Sequence, residues 1–334
     1  METLIRTFPQ QLIEATRIAA AWSPAHTGLR PTSVAVLGLG GSAFGGEIVR
    51  NTLRDELPLP FTIYRSYELP ACVGPDTLVL ACSYSGNTEE TLTAATEAQA
   101  RGARLVCITS GGKLAERART HGHDLLLIPG GQPPRTACGY SLTLQLHVLH
   151  RYGLIANPQP ALDAAHAVMT SFTEAEHAQV RALAQRLSGT VPIIYSTDTA
   201  DSVAIRLRQQ INENAKQLCW HHTLPEMNHN ELVGWVHPAG FLQQMAHVLL
   251  LTTDFEHPRN RVRISINREI LLRALPSADR LTEVQARGEG KLAQLLYLLH
   301  WADWLSLYLA QANGADPMPV QVIDYLKSEL EKAH

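Results

Sequence analysis

The chain has 334 residues, of which 45% are hydrophobic and 18% are charged, and its net charge at pH 7 is −3. This composition is typical of a folded globular protein, and the small net charge gives no bulk attraction to nucleic acid or to an anionic membrane. No apolar run approaches the ~20 residues that cross a bilayer, and the length favours two domains.

The cysteines and the first residues of the chain indicate a cytoplasmic protein. The five cysteines are odd in number and form no Cys-x-x-Cys motif, a pattern typical of reduced thiols. The segment Met1–Arg6 lacks the basic and apolar regions of a secretory signal. We therefore expect no export and no membrane attachment.

The first half of the chain alternates strands with helices. Short apolar runs predict strands near 33–38, 61–65, 77–82, 104–109 and 124–128. Helices are predicted between and after them, near 42–53, 88–100, 113–121 and 140–153. This order predicts an α/β domain of the doubly wound type, with a mainly parallel sheet flanked by helices.

The second half begins with a proline-rich break at Asn157–Pro160 and repeats the pattern less clearly. Helical stretches are predicted near 160–172 and 174–188, then a strand at 192–197, a helix at 201–216 and strands near 248–252 and 282–286. A long amphipathic helix over 290–312 and a last helix over 319–332 follow. Because the pair at 192–216 echoes the pair at 33–53, we expect a duplicated α/β domain, with domains at 1–155 and 156–334.

Two loops between a strand and a helix carry the clearest chemical signal. The first, Gly38–Ser42, is rich in glycine, and the second, Ser83–Thr88, carries hydroxyls at Ser83, Ser85 and Thr88. A helix amino terminus has unsatisfied N–H groups and the positive end of the dipole, so it attracts anions. The sequence therefore predicts binding of a phosphorylated small molecule.

Other interpretations of these loops remain open. Gly38-x-Gly40-x-x-Ala43 also fits a dinucleotide fingerprint, but the second strand ends at Tyr64-Arg65-Ser66, and Glu68 is only loosely placed for the acidic residue that such a site needs. A tight turn without a ligand is the simplest alternative for the first loop. For the second loop it is capping, since Ser and Thr are common at helix starts.

Four segments together resemble the bifunctional phosphoglucose/phosphomannose isomerase family of SIS (sugar isomerase) proteins. They are the run from Ser83 to Thr91, Pro134-Arg135-Thr136, Asn212-Glu213-Asn214-Ala215-Lys216, and Pro225-Glu226-Met227-Asn228-His229-Asn230-Glu231. The resemblance extends from about Leu37 to Lys327. It implies two SIS-type domains, the second of which carries the base and the ring-opening residues.

The resemblance also implies a reaction, the interconversion of glucose 6-phosphate and mannose 6-phosphate with fructose 6-phosphate through a cis-enediol. It assigns Glu213 as the base, Arg135 to the charge of the intermediate, and His229 and Lys327 to ring opening. It assigns the sugar and its phosphate to Gly41, Ser42, Ser83, Ser85 and Thr88. Neither a metal nor a redox cofactor is expected. Val320 stands near a family threonine linked to the second epimer, which leaves the balance of the two substrates open.

Several features of the residues themselves bear on these assignments. Pro133 and Pro134 stiffen the approach to Arg135, and a fixed guanidinium suits an anionic intermediate, although a solvated arginine is the usual outcome. Glu213 lies near a predicted helix end, an unfavourable place for a carboxylate that can suit a base. His221 and His222 lack the spacing of a zinc site.

Lys327 could equally be an ordinary exposed helical lysine, with Lys216 and Lys291 as substitutes for its role. Apolar residues in the polar loop around His229 predict cover by a second copy, in agreement with the family's homodimer, in which this histidine reaches the partner's site. They are Pro225, Met227, Leu232, Val233 and Trp235.

Two functions from other classes remain as alternatives. A non-catalytic sugar-phosphate sensor would need the phosphate loop but not Glu213, Arg135 and His229 together. An isomerase of an amino-sugar or heptose phosphate is typically one SIS unit, or two with near-equal phosphate loops. Here the second unit's loop, Ser196–Thr199, carries Asp198, which would repel phosphate.

Overall fold

A computed structural model describes residues 1–25, 28 and 30–332 of the chain. The chain forms two compact units, and each takes up separate stretches of sequence. The first, here called the amino-terminal unit, consists of Arg6–Ser171 and Arg287–Tyr297. The second, the carboxy-terminal unit, consists of Met1–Ile5, Phe172–Ala286 and the part that follows from Leu298. The predicted domain limits, 1–155 and 156–334, stay a prediction.

A five-stranded parallel sheet forms the centre of the amino-terminal unit. Its strands are β1 (Ser33–Leu37), β2 (Phe61–Tyr64), β3 (Thr77–Cys82), β4 (Arg104–Thr109) and β5 (Asp124–Leu127), in the order β2-β1-β3-β4-β5. After α1 (Glu2–Arg6), its helices are α2 (Phe8–Ala20), α3 (Gly40–Leu53), α4 (Glu89–Ala100), α5 (Gly112–His121), α6 (Cys138–Arg151) and α7 (Gln159–Thr170). The predicted doubly wound architecture of this half is confirmed.

The central strand β3 shows why the strands of this unit could be predicted from the sequence. All of its residues are buried, and it pairs with β1 on one side and β4 on the other, with Val79 opposite Ala35 and Leu105. A strand buried on both faces is a continuous apolar run, which is the signal that the sequence shows.

The carboxy-terminal unit contains a four-stranded parallel sheet of the same relative order. Its strands are β6 (Val191–Thr197), β7 (Trp220–Leu224), β8 (Ala246–Thr252) and β9 (Leu281–Gln285), in the order β7-β6-β8-β9. Its helices are α8 (Glu174–Leu187), α9 (Asp201–Ala215), α10 (Ala239–Gln244), α11 (Pro258–Ala274) and α13 (Gln321–Lys332), and α12 (Lys291–Ala312) is divided between the units. In both sheets the first strand of the unit lies between its second and third.

The prediction that 290–312 forms an amphipathic helix is wrong in one respect. The helix exists, but every residue from Leu292 to Ala310 is buried, so it has no solvent-facing stripe. A helix that is apolar on all sides is an interior helix. Its few polar residues, among them Asp303 and Ser306, are buried with it.

Strand β7 and helix α11 escaped prediction because their sequences do not carry a clear apolar period. Strand β7 at the sheet edge reads Trp-His-His-Thr-Leu, and α11 is rich in arginine. Helix α2 was not predicted either, although it packs against α6. None of the described helices combines the length and the apolar character needed to span a membrane. No disulfide joins any of the described cysteines.

Stability should fall as the pH decreases from about 6.5 toward 4. Burial lowers the pKa values of His147, His221 and His247 to about 4, against an ordinary value near 6.5. In this interval the unfolded chain binds protons that the folded chain does not, so protonation favours unfolding by up to about 1.4 kcal/mol per pH unit for each such histidine. Above pH 6.5 this contribution is fully present.

The matched variants are His247→Gln and His121→Gln, since His247 is completely buried and His121 is exposed. Urea unfolding across pH 4–7 should show a shallower decline for His247→Gln than for wild type. His121→Gln should keep the wild-type slope. Equal slopes for the two variants would contradict the expectation.

Candidate active site

The loop that follows β3 holds its hydroxyl groups in an arrangement other than helix capping. The Oγ atoms of Ser83 and Thr88 lie 2.9 Å apart, and Ser83 Oγ also accepts a hydrogen bond from the backbone N–H of Gly86 at 3.1 Å. Thr88 is the N-cap residue of α4, yet its side chain makes no capping hydrogen bond. The capping interpretation is therefore wrong for Thr88. Ser85 is exposed and accepts from the N–H of Asn87.

The backbone of this loop is fixed by a close contact that only glycine permits. Gly86 has φ +70°, and a Cβ atom at this position would lie 1.8 Å from the carbonyl oxygen of Gly111. Any side chain would therefore combine an unfavourable φ with a collision against backbone. The loop after β4 is thus in close backbone contact with the loop after β3.

The loop after β1 meets the loop after β3 at the carboxyl edge of the sheet. Ser42 Oγ accepts a hydrogen bond from the N–H of Tyr84 at 3.0 Å. Gly41 lies against the turn that carries Arg135, since a Cβ atom there would be 2.7 Å from Pro134 O and 2.9 Å from Arg135 Cα. The predicted glycine of this loop is thus next to the predicted arginine, and the predicted serine is bonded to the loop after β3.

Arg135 lies on a short 3₁₀ helix, Pro134–Thr136, and is only 5% exposed, so it is not the solvated loop arginine considered from the sequence. Helix α2 holds this turn from the other side. The amide of Gln11 donates to Thr136 O at 2.6 Å and accepts from the N–H of Gly139 at 3.1 Å. These contacts hold the backbone of the turn that carries Arg135.

A small cavity with room for about one water molecule lies where these loops converge, and three of the predicted residues, Gly41, Ser42 and Ser83, contribute to its wall. Ser85, Thr88 and Arg135 belong to the same loops but do not line it. The other lining residues are Cys82, Tyr84, Ile108, Ile128, Pro134, Ala137 and Ser141.

Tyr84 is a contributor that sequence reasoning missed. Its carbonyl oxygen accepts from both the N–H and the Oγ of Ser110, and its hydroxyl accepts from the N–H of Gln132 at 3.1 Å. Together with the bond to Ser42, these contacts make four hydrogen bonds that hold Tyr84 in the loop. Since Tyr84 stands between two serines, nothing local in the sequence distinguishes it.

In the carboxy-terminal unit, Glu213 occupies the last turn of α9 and is half-buried, as the sequence predicted for the helix end. Lys216 follows in the left-handed conformation, with φ 54°. Its Nζ donates to Glu213 O at 2.5 Å and to Pro319 O at 2.8 Å. This ammonium group therefore connects the turn that carries Glu213 to the segment that leads into α13, the helix of Lys327.

Helix α9 is held in place by buried polar contacts with α12. Gln210 donates to Asp303 Oδ1 at 2.6 Å, and Arg206 lies 3.6 Å from the same oxygen. One turn farther along, Asn214 donates to Ser306 Oγ at 2.9 Å. Buried charges are costly unless they are paired, so these contacts favour one position of α9 and of the glutamate on it.

Lys327 is exposed on α13 and makes no hydrogen bond or ion pair with any residue that the structure describes. The two substitutes considered for it are engaged elsewhere. Lys216 donates to two carbonyl groups, and Lys291 pairs with Asp55 Oδ2 at 2.5 Å. No hydrogen bond among the described residues joins Lys327 to Glu213 or His229.

His229 ends a 3₁₀ helix, Glu226–His229, and is exposed. The loop around it is anchored on both sides. Before it, Asn228 donates to Asn267 Oδ1 on α11 at 2.7 Å. After it, the carboxylate of Glu231 lies 2.6 Å from His222 Nδ1 and accepts from the hydroxyl of Tyr195.

The indole of Trp235 completes this anchor by donating to Tyr195 Oη at 2.9 Å. The tyrosine is completely buried on β6 and lies 36 residues from Glu231 in the sequence. No local pattern could reveal such a pairing. Glu231, Tyr195 and His222 are therefore residues that the sequence did not assign and that hold the loop of His229.

The argument that the apolar residues of this loop need an external cover is partly wrong. Met227 and Trp235 are buried within their own unit, and Leu232 is half-buried. Val233 remains 79% exposed, with Val236 close behind it in sequence at 60%. The exposed apolar surface is thus smaller than the composition of the loop indicated.

No group of three or more His, Cys, Asp or Glu side chains is placed to hold a metal ion among the residues that the structure describes. His221, one of the two adjacent histidines, accepts at Nδ1 from Arg208 Nε at 3.1 Å. Its neighbour His222 pairs with Glu231.

Comparisons with known proteins agree with this arrangement. Residues 30–152 match the SIS domain, and residues 175–330 match the bacterial phospho-glucose isomerase C-terminal SIS domain. A bifunctional phosphoglucose/phosphomannose isomerase from Caldicellulosiruptor bescii is 36% identical over 98% of this chain and 97% of its own. The chain belongs to the bifunctional phosphoglucose/phosphomannose isomerase family. A relative of the same name from Aquifex aeolicus is also 36% identical, over 93% of this chain and 94% of its own.

Other similarities are more distant or partial. A D-glucosamine-6-phosphate 4-epimerase from Sulfolobus acidocaldarius is 36% identical, but over 60% of this chain and 62% of its own. Among solved structures, the C-terminal domain of glucosamine-fructose-6-phosphate aminotransferase from Francisella tularensis has a TM-score of 0.73 at 12% identity, covering 95% of this chain and 97% of its own. At this identity it shows the shared fold alone. The SIS fold predicted from the phosphate loop is confirmed.

The anchor of the His229 loop can be tested with Tyr195→Phe, which removes one hydroxyl and leaves the ring. We expect faster hydrogen–deuterium exchange over residues 226–235, and a free energy of unfolding about 1–3 kcal/mol lower, because Glu231 and Trp235 each lose a buried partner. Tyr325→Phe on the exposed face of α13 is the matched control and should change neither quantity. Unchanged exchange in Tyr195→Phe would show that the loop is held by other contacts.

Proposed function

We propose that this protein is an aldose–ketose isomerase that interconverts glucose 6-phosphate and mannose 6-phosphate with fructose 6-phosphate. The observation that carries the proposal is the loop after β3, in which Ser83 and Thr88 bond to each other instead of capping α4. It occurs within a family match that extends over nearly the whole chain. Hydroxyl groups and helix N–H groups at the edge of a parallel sheet suit a phosphate.

Ser83, Ser85 and Thr88 bind the phosphate, and Gly41 and Ser42 line the sugar site. The guanidinium of the buried Arg135 stabilises the negative charge that develops on the enediol intermediate. Supporting this division is the convergence of the loops after β1 and β3 on one cavity, beside the buried turn of Arg135.

Glu213 takes the proton from C2 of the aldose, which leaves the anion of the cis-enediol with its charge on O1. The proton of the O2 hydroxyl then passes to O1, and Glu213 returns its own proton to C1, which yields the ketose with its carbonyl group at C2. His229 and Lys327 open the sugar ring first, by moving the proton between the ring oxygen and O1. Because the intermediate is planar at C2, one base can serve both C2 epimers. None of these steps requires a metal or redox cofactor. The half-buried position of Glu213 and the exposed positions of His229 and Lys327 are compatible with these roles.

The relative that acts on glucosamine 6-phosphate supports a second candidate, an amino-sugar phosphate enzyme. The deciding experiment incubates the protein separately with glucose 6-phosphate, mannose 6-phosphate and glucosamine 6-phosphate. We expect fructose 6-phosphate from the first two and no change in the third. Conversion of glucosamine 6-phosphate alone would reject the proposed function. The ratio of the first two rates would show how Val320 affects the two epimers.

Glu213→Gln should lower kcat by about 10²–10⁴-fold and leave the affinity for fructose 6-phosphate nearly unchanged, because the amide keeps the shape of the side chain but cannot accept the proton. Incorporation of deuterium from solvent into the product should decrease in parallel. Glu269→Gln, at an exposed glutamate of α11, is the control. Near-complete exchange in Glu213→Gln would move the base elsewhere, with Glu226 as the next candidate.

The phosphate loop should affect binding more than chemistry. Ser85→Ala and Thr88→Ala each remove a charge-assisted hydrogen bond worth about 1.5–3 kcal/mol, so KM should rise at least tenfold for both substrates. Ser328→Ala on α13 removes a similar hydroxyl far along the sequence and serves as the control. An unaltered KM in the double variant would reject this loop as the phosphate site.

The proposal includes a cytoplasmic homodimer in which His229 reaches the active site of the partner subunit. In support, His229 is exposed at the tip of an anchored loop that also exposes Val233. An exposed apolar side chain next to a catalytic candidate is typical of an interface.

Complementation tests this donation. Inactive Glu213→Gln and inactive His229→Ala chains are mixed under conditions that allow subunits to exchange. In a heterodimer, one of the two sites then combines a native Glu213 with a native His229. Because half of a statistical mixture is heterodimer, activity should recover to about a quarter of wild type. Absence of recovery despite demonstrated exchange would place both residues in the site of one chain.

A further inference from the structure

Both sheets contain the same topological switch point. In the order β2-β1-β3, the chain leaves β1 toward one side and returns on the other, so the crevice lies outside the carboxyl ends of β1 and β3. Ligands of open parallel sheets bind at such crevices. In the amino-terminal unit this is where Ser42 meets Tyr84, beside the proposed phosphate loop. In the carboxy-terminal unit the equivalent point lies between β6 and β8.

The second switch point is occupied by a side chain of the protein itself. Glu256 follows β8 and is only 4% exposed. Its Oε1 accepts from the backbone N–H of Thr253 at 3.1 Å and from Thr253 Oγ1 at 3.0 Å. Its Oε2 accepts from the hydroxyl of Thr197, which ends β6 and is completely buried. Three donors from the two central strand ends therefore converge on one carboxylate.

This donor set is the kind that binds an oxyanion. The donors are one backbone N–H and two hydroxyls, which are the kinds of donor that a phosphate loop provides. The carboxylate of Glu256 takes the place of the oxyanion, because it supplies the negative charge and the oxygen acceptors. Burial raises the pKa of Glu256, and the hydrogen bonds from Thr197 and Thr253 oppose that rise. Asp198 lies near enough to add a second negative charge at the same point.

We propose that Glu256 is a built-in anion that closes a second oxyanion site, so that each chain offers a single site for a phosphorylated ligand. The inference rests on the proposed function for the identity of the first site. It also revises the expectation that Asp198 keeps phosphate away from the second unit. The loop equivalent to Ser83–Thr88 follows β8 instead of β6, and Glu256 is its carboxylate.

Removal of the carboxylate should open the site. In a Ser85→Ala, Thr88→Ala background, which silences the first site, Glu256→Ala should gain binding of inorganic phosphate, with about one phosphate per chain. Its Tm should rise by about 3 °C or more at saturating phosphate. Glu256→Gln in the same background fills the space with a neutral group and should show neither effect. A folded Glu256→Ala chain that does not respond to phosphate would overturn the proposal.

Equilibrium dialysis of the unmodified protein with inorganic phosphate provides a second measurement if Glu256→Ala does not fold. We expect one phosphate per chain, and two would overturn the proposal. The failure of the proposed function gives a different result. One phosphate per chain could still bind after Ser85→Ala and Thr88→Ala, and Glu256→Ala could then add a second. This result would show that the first phosphate site lies outside the Ser83–Thr88 loop, and it would leave the role of Glu256 intact.

Discussion

The contact on which the site depends is the hydrogen bond between the N–H of Tyr84 and Ser42 Oγ, at the carboxyl edge of β1 and β3. Parallel neighbours end at the same edge, so the loops that follow them are brought together by the sheet and not by their own composition. Once the two loops meet there, Ser42 and Ser83 line one small cavity, and Pro134 adds the turn of Arg135 to its wall. The buried apolar core of the sheet thus places polar groups that have little preference for one another.

The two units have the same sheet topology but differ in what the hydroxyl groups at the switch point contact. At the first switch point the hydroxyl groups face a cavity, and at the second the hydroxyls of Thr197 and Thr253 are satisfied by Glu256. Buried donors must find an acceptor, either in the protein or in a ligand. Which of the two is chosen depends on a few side chains beyond the strand ends, while the sheets remain alike.

How far the sequence could predict this structure depended on whether the information was local. The strands β1, β3 and β4 are short and mostly apolar runs, so their positions were predicted, as were the loops after β1 and β3. Strand β7 and helix α11 carry polar and arginine residues on exposed faces, which conceals the period. Helix α12 was predicted to be amphipathic, whereas it is an interior helix.

The arrangement of α12 also determines how the chain can be divided. Lys291–Tyr297 belong to the amino-terminal unit and the residues from Leu298 to the carboxy-terminal one, while Met1–Ile5 are counted with the latter. Cutting a single peptide bond therefore cannot separate the two units into complete pieces. A fragment that ends before α12 lacks a buried segment of its own core, and a fragment that begins at Phe172 carries a stretch of helix whose natural surroundings have been removed. Expression of the halves as separate proteins would therefore yield two pieces with incomplete cores.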